Sequence, residues 1–185
     1  MPGLLKWSSG LFIFIIIAGV FVINFYPGTL SNKKELNNYG GGDVTLDMYG
    51  WNKAATIFDS VCKANVEKNI MHSDAPIICN KWFPASHIDY YIARPLHKKL
   101  IGLGTLNDLH QFEWLNYNRY KQGDLKEAWC IVPSNYSCTI QEEYGKNFTE
   151  IASKGTFPVY RNGKVARYFS IYYLKGFTGT VPCIK

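Results

Sequence analysis

Asp43-Val-Thr-Leu-Asp-Met-Tyr-Gly-Trp51 is the stretch from which the rest of the chain can be placed. Trp51 opens a helical pattern. Trp51, Ala54, Ala55, Phe58, Val61 and Cys62 recur at three- and four-residue steps, which lines one face of a helix over 51–67 with apolar groups. Asp47 stands just ahead of it, where a carboxylate can accept backbone N–H bonds and favour the positive end of the helix dipole. Asp47 and Trp51 are thus either a helix entry with a buried ring or part of a ligand site.

Upstream, Leu11 to Ile23 is an unbroken apolar run bracketed by Trp7 and Tyr26. As a helix, Trp7 to Tyr26 spans about 30 Å, one hydrocarbon thickness. Trp and Tyr are the residues that membrane–water interfaces favour. The short basic start would also suit a secretory signal. Asn24-Phe25-Tyr26, however, offers no small residues for cleavage, so residues 1–26 are expected to be an uncleaved anchor. Lys6 on one side and Lys33, Lys34 and Glu35 on the other do not fix its orientation. Residues 27–42 read as a flexible linker: Asn37-Asn-Tyr-Gly-Gly-Gly42 has no periodicity and great backbone freedom.

Downstream, strands and helices alternate. Pro76-Ile-Ile-Cys-Asn80, Leu100-Ile-Gly-Leu103 and Ala128-Trp-Cys-Ile-Val132 read as buried strands. Pro84 to Ala93 reads as a helix that Pro95 ends. Asn162-Gly163 between extended runs is a hairpin signal. From Val165 to Leu174 both alternating sets carry apolar bulk, which suits an interior strand. The expected fold is α/β: a single sheet with helices on its faces and a C-terminal antiparallel hairpin, preceded by one transmembrane helix. The folded domain is expected over 43–185.

Aromatic residues make up 16% of the 185 positions, which fits a packed core and rings that stack on sugars, and excludes disorder. The net charge is +6, and Lys6 alone precedes the linker, so the rest of the chain carries +5 in scattered lysines. Such a surface suits anionic lipid, whereas nucleic acid is not expected without an arginine-rich run. Cys62 and Cys79 read as small buried hydrophobes. Cys130 and Cys138 would be able to pair in an oxidising compartment. The four histidines are too far apart for a short metal motif, so no metal is expected. Nor is a cofactor: Gly102-Leu-Gly104 is followed by Asn107 where a dinucleotide fingerprint has its third glycine, and Gly40-Gly-Gly42 lacks the Lys and Ser/Thr of a phosphate loop. Glu142 and Glu143 read as solvated charge.

The opening stretch resembles the start of the extracytoplasmic C-terminal domain of GT-C membrane glycosyltransferases in the protein mannosyltransferase and aminoarabinose transferase superfamily, which use polyprenyl-phosphate sugars. Ala85-Ser-His-Ile-Asp-Tyr-Tyr91, Leu109-His-Gln-Phe-Glu-Trp114 and Arg167-Tyr-Phe-Ser-Ile-Tyr-Tyr-Leu-Lys-Gly-Phe177 are similar, in the same order, to its Ala-rich helix, its Gln-aromatic-acid-Trp element and its closing strand. The resemblance covers most of 43–179. It implies an extracytoplasmic domain (periplasmic in a bacterium) on a single-pass membrane protein, with a multi-span catalytic region and a lipid-linked sugar or glycan as partners.

In that family the catalytic Asp lies among many N-terminal transmembrane helices. Those residues have no counterpart here, so the chain resembles a detached or truncated C-terminal part and is not expected to be catalytic alone. The binding candidates are Asp47, Trp51, Tyr91, His110, Gln111, Glu113 and Trp114. His110, Gln111, Glu113 and Trp114 gather hydrogen-bonding groups, an acid and a large ring within five positions, as sugar recognition needs. The alternative is that Trp114 packs into the core and His110 caps a loop. Three classes stay open: a glycosyltransferase accessory domain, a membrane-anchored glycan- or lipid-binding module, and an α/β hydrolase. No Gly-x-Ser-x-Gly elbow supports the third.

Overall fold

Trp51, Phe58 and Trp129 are closed off from solvent, and the sheet they pack around organises the domain. The computed structural model describes residues 2–121, 123–136 and 138–182. Five strands, β1 (Ile77–Cys79), β2 (Leu100–Gly102), β3 (Glu127–Pro133), β4 (Phe148–Arg161) and β5 (Lys164–Phe177), form one sheet in the order β2-β1-β3-β5-β4. β1 runs parallel to β2 and β3, whereas β5 runs antiparallel to β3 and β4. The α/β class and the C-terminal hairpin hold, and β5 is interior, as its two apolar faces require.

The two-residue period of the strands sorts side chains onto two faces. Ile77, Leu100, Trp129, Ile131, Phe169 and Ile171 point to one side. There they meet α2 (Trp51–Glu67), through Trp51, Ala54, Phe58 and Cys62, and α3 (Trp82–Ile88) with the π-helical turn Asp89–Ala93. Ile78, Ile101, Cys130 and Leu174 point to the other, where α6 (Ile140–Tyr144) supplies Ile140 and Tyr144. Each large side chain so buried contributes roughly 1.5–3 kcal/mol. Two short helices, α4 (Leu106–Leu109) and α5 (Phe112–Arg119), follow β2. Asn116 pins α5 to β2: it accepts the Gly102 N–H at 2.9 Å and donates to the Gly102 carbonyl at 2.8 Å.

Asn162 and Gly163 both have positive φ, 45° and 78°, as the tight primed turn between β4 and β5 demands. Edge strand β4 carries two register shifts and Pro158, features tolerated where no further strand pairs. Cys62, Cys79, Cys130 and Cys138 are free, so no Cys130–Cys138 disulfide is present.

The N-terminal helix α1 (Pro2–Phe25) is long and apolar enough to cross a membrane, with a mean hydropathy of 2.3 over its best window. Its last turn meets the hairpin. Arg161 donates to the Ile23 carbonyl at 3.0 Å and Asn162 to the Phe25 carbonyl at 3.1 Å, so the turn satisfies carbonyls that a helix end leaves unpaired.

Residues 27–42, expected to be a linker, lie against the same place. Gly28 donates its N–H to the Arg161 carbonyl at 2.9 Å and accepts from Arg161 Nε at 2.8 Å. Thr29 and the Leu30 N–H both reach Asp43 Oδ2 at 2.7 Å. Buried Asp43 also accepts from the Thr45 N–H at 2.9 Å, and its Oδ2 lies 3.6 Å from an Arg161 nitrogen. The stretch is ordered by these buried polar bonds, which its glycine-rich composition does not announce.

Candidate functional site

From β1 the chain crosses to β2 on one side and later returns to β3 on the other, so the crevice beyond the carboxyl ends of β1 and β3 is a topological switch point, where α/β sheets bind ligands. Asn80, Lys81 and α3 leave β1 there, and Ser134, Asn135 and Tyr136 leave β3. Between them Cys79, Pro84, Tyr136 and Cys138 enclose only about 10 Å³, room for one water. The crevice is filled, and its chemistry lies on its rim.

That rim is aromatic because of the helical period of α3. Phe83 and His87 fall one turn apart, as do Trp82 and Ser86. The His87 ring stacks on Trp51 at 4.7 Å and 4°, and lies nearly parallel to Tyr91 at 6.0 Å. Phe83 touches His87, Tyr136 and Trp82, with centroids 4.9–5.4 Å apart. Trp82 in turn lies 5.4 Å from the His110 ring. The file of rings begins in the core and ends in solvent, at Trp82, 39% exposed, and His110.

Beneath the file lies Arg167, wholly buried, its guanidinium 4.3 Å from the Trp51 ring and 4.4 Å from the Phe169 ring. It donates to the Tyr49 carbonyl and, at 3.2 Å, to Asn135 Oδ1, while its Nε has no partner among the described residues. Burial lowers its pKa to about 9, against the opposing pull of Asp47. Burial and the Arg167 charge also lower the His87 pKa, so that ring is neutral near pH 7. Tyr136 donates to Asp47 Oδ1 at 2.8 Å, and burial together with that bond raises its phenol pKa. These groups hold one another in place.

The seven sequence candidates fall into two groups joined by α3. Trp51 is closed off in the core, with its Nε1 donating to the Asp47 carbonyl at 2.8 Å. Asp47 does not cap α2: Gly50 occupies that position, and the Asp47 carboxylate turns to Tyr136 instead. Tyr91 is half-buried beside His87. On the other side His110 turns the chain between α4 and α5 with φ 49°, and Gln111 reaches Ser86 at 3.4 Å. Glu113 is buried, whereas Trp114 is 61% exposed, because Phe112 and Asn116 take the inner face of α5. Trp82, Phe83, His87, Tyr136 and Arg167 are added by the structure. The one sequence signal for them was a charged residue, Arg167, among the apolar residues that run from Val165 to Phe169.

A larger groove of about 590 Å³ lies at the opposite end of the strands, walled by His72, Lys99, Arg119, Lys126 and Glu127. Its charges are mixed and partly spent: Glu127 holds His72 at 2.9 Å, and Arg119 holds buried Asp89 at 3.0 Å. Its walls carry no exposed tryptophan, so the rim at the switch point remains the better candidate. Among the described residues no group of three or more His, Cys, Asp or Glu could hold a metal ion. No protein-family model, no curated protein and no solved structure matches this chain.

Chemically, the rim offers a ring to stack on a sugar face, with His110, Gln111 and Ser86 beside it to hydrogen-bond hydroxyls.

Proposed function

We propose that the chain is a single-pass membrane protein whose α/β domain recognises a sugar-bearing, membrane-held molecule at the Trp82–His110–Gln111 rim. It would act as the accessory domain of a separate multi-span glycosyltransferase of the kind its sequence resembles. One observation carries this reading. The carboxyl ends of β1 and β2, from which Trp82 and the His110–Gln111 turn follow, point like that of β3 to the same end of the sheet as the hairpin turn that receives α1. Pro133 at the end of β3 is level with Phe169, and five residues of β5, about 17 Å at strand rise, separate that level from Lys164 at the turn. If α1 spans a bilayer and leads away from that end of the sheet, the rim is on the bilayer side of the domain.

The test is binding and turnover with the whole chain in nanodiscs. A polyprenyl-phosphate sugar should bind, and Trp82→Ala or His110→Ala with Gln111→Ala should weaken binding about tenfold, some 1.4 kcal/mol. Labelled sugar should be transferred only when a multi-span transferase is co-expressed. Turnover by the chain alone would favour an independent enzyme. Binding without turnover in either case would favour a stand-alone glycan- or lipid-binding module.

A further inference from the structure

The segment that follows α1 has its polarity reversed. Thr29, Asp43 and Thr45 are buried, while their neighbours Leu30 and Val44 face outward. Val44 is 75% exposed and Met48 61%; Tyr160, whose carbonyl accepts from the Tyr49 hydroxyl at 2.9 Å, is half exposed. Buried polar groups beside a cluster of exposed large apolar ones are the informative departures from the usual sorting.

Their position is set by bonds already described. Leu30 and Val44 flank the two ends of the Asp43 network, and the 3-10 turn Val44–Met48 touches α1 itself. Tyr160 precedes Arg161, which caps α1, and its carbonyl accepts from Lys53 Nζ at 2.7 Å. Exposed lysines stand among these groups. Lys164 abuts Gly28, and Lys33 and Lys34 lie on the loop whose Gly40 N–H donates to the Lys33 carbonyl at 3.1 Å. Glu35 and Asp47 are the acids with some exposure on these elements.

We propose that Leu30, Val44, Met48 and Tyr160, with Lys33 and Lys164, form a collar around the exit of α1 that sits in the headgroup layer of an anionic bilayer. The occupant follows from continuity and charge. The collar surrounds the end of a helix apolar enough to span a bilayer, and its mixture of aliphatic, tyrosine and lysine side chains is what that layer accepts. Cations there gain from anionic lipid. The collar rests on the anchor reading and goes beyond it: the folded domain, and not α1 alone, is in contact with lipid.

The experiment uses the full chain in phosphatidylcholine vesicles, with and without phosphatidylglycerol. An environment-sensitive fluorophore is attached at V44C or M48C, and at K126C on the opposite end of the sheet, with the signal of the unsubstituted chain subtracted. Probes at 44 and 48 should emit further to the blue than the probe at 126 and resist an aqueous quencher. Lys33→Glu with Lys164→Glu should remove the extra protection that phosphatidylglycerol gives. Probes at 44 and 48 as quenchable as that at 126, on a chain that resists alkaline carbonate, would overturn the collar and leave the anchor standing. Release by carbonate would overturn both. Protection that fades when the same protein is spread over more lipid would show contact between copies, and would overturn the collar too.

Discussion

At the scale of single residues, buried charge is the feature that most constrains this fold. Burial alone would push the Asp43 carboxyl up. The bonds it accepts from Thr45, Thr29 and Leu30 outweigh that and hold it below the ordinary carboxylate value. A carboxylate depressed in the folded state contributes stability above its unfolded pKa of about 3.9, and loses it as pH falls through the folded value. Urea midpoints measured against pH should therefore drop below about pH 4. Asp43→Asn should be less stable at pH 7 and show a flatter acid limb; an unchanged slope would remove Asp43 from the account. Trp51, in the core between His87, Phe169 and Arg167, is a packing residue. Trp51→Ala should cost about 3–5 kcal/mol in denaturant unfolding, and a loss below about 1 kcal/mol would show a ring that does not pack. Burial of Trp51 was legible from its spacing to Ala54 and Phe58. Its guanidinium partner was not, because Arg167 lies on a strand that pairs far along the chain, and alternation within that strand does not reveal which ring it meets.

At the scale of elements, patterns encoded locally were legible and contacts between distant segments were not. The α2 stripe, the Asn162-Gly163 turn and the doubly apolar β5 are encoded within a few residues of themselves, so each could be placed from sequence. The entry to α2 needed more. Gly50 has φ 88°, and a Cβ there would lie 2.9 Å from Val159 Cγ1 on β4, a contact no local pattern reports. Gly50→Ala should therefore destabilise the domain by more than the roughly 1 kcal/mol of the backbone term alone, because the side chain also pushes α2 off the hairpin. Thermal unfolding of the variant checks this. In α5 the sequence left Trp114 open between core and surface. Helical geometry decides it: Phe112, Leu115 and Asn116 turn inward, and Trp114 stands outside their arc.

At the scale of the whole molecule, the folded domain begins nearer the apolar helix α1 than composition suggests. Glycine content marks 27–42 as free, yet Gly28, Thr29 and Leu30 supply bonds to Arg161 and Asp43. A chain beginning at Pro27 should thus be more stable than one beginning at Asp43, by about 1–3 kcal/mol for the buried carboxylate left short of donors. Equal denaturant midpoints for the two would show that the segment adds nothing. The capping of α1 by Arg161 and Asn162 reaches further still. A helix end held at two carbonyls by a sheet works as a keyed shaft: the domain has no free swivel, and its bearing is set by the phase of the helix. One residue inserted midway along α1 advances that phase by about 100° and lengthens the shaft by about 1.5 Å. With the first half of the helix held fixed, the rim would swing to a different quarter of the compass. The length of this helix, counted in single residues, is then a steering angle.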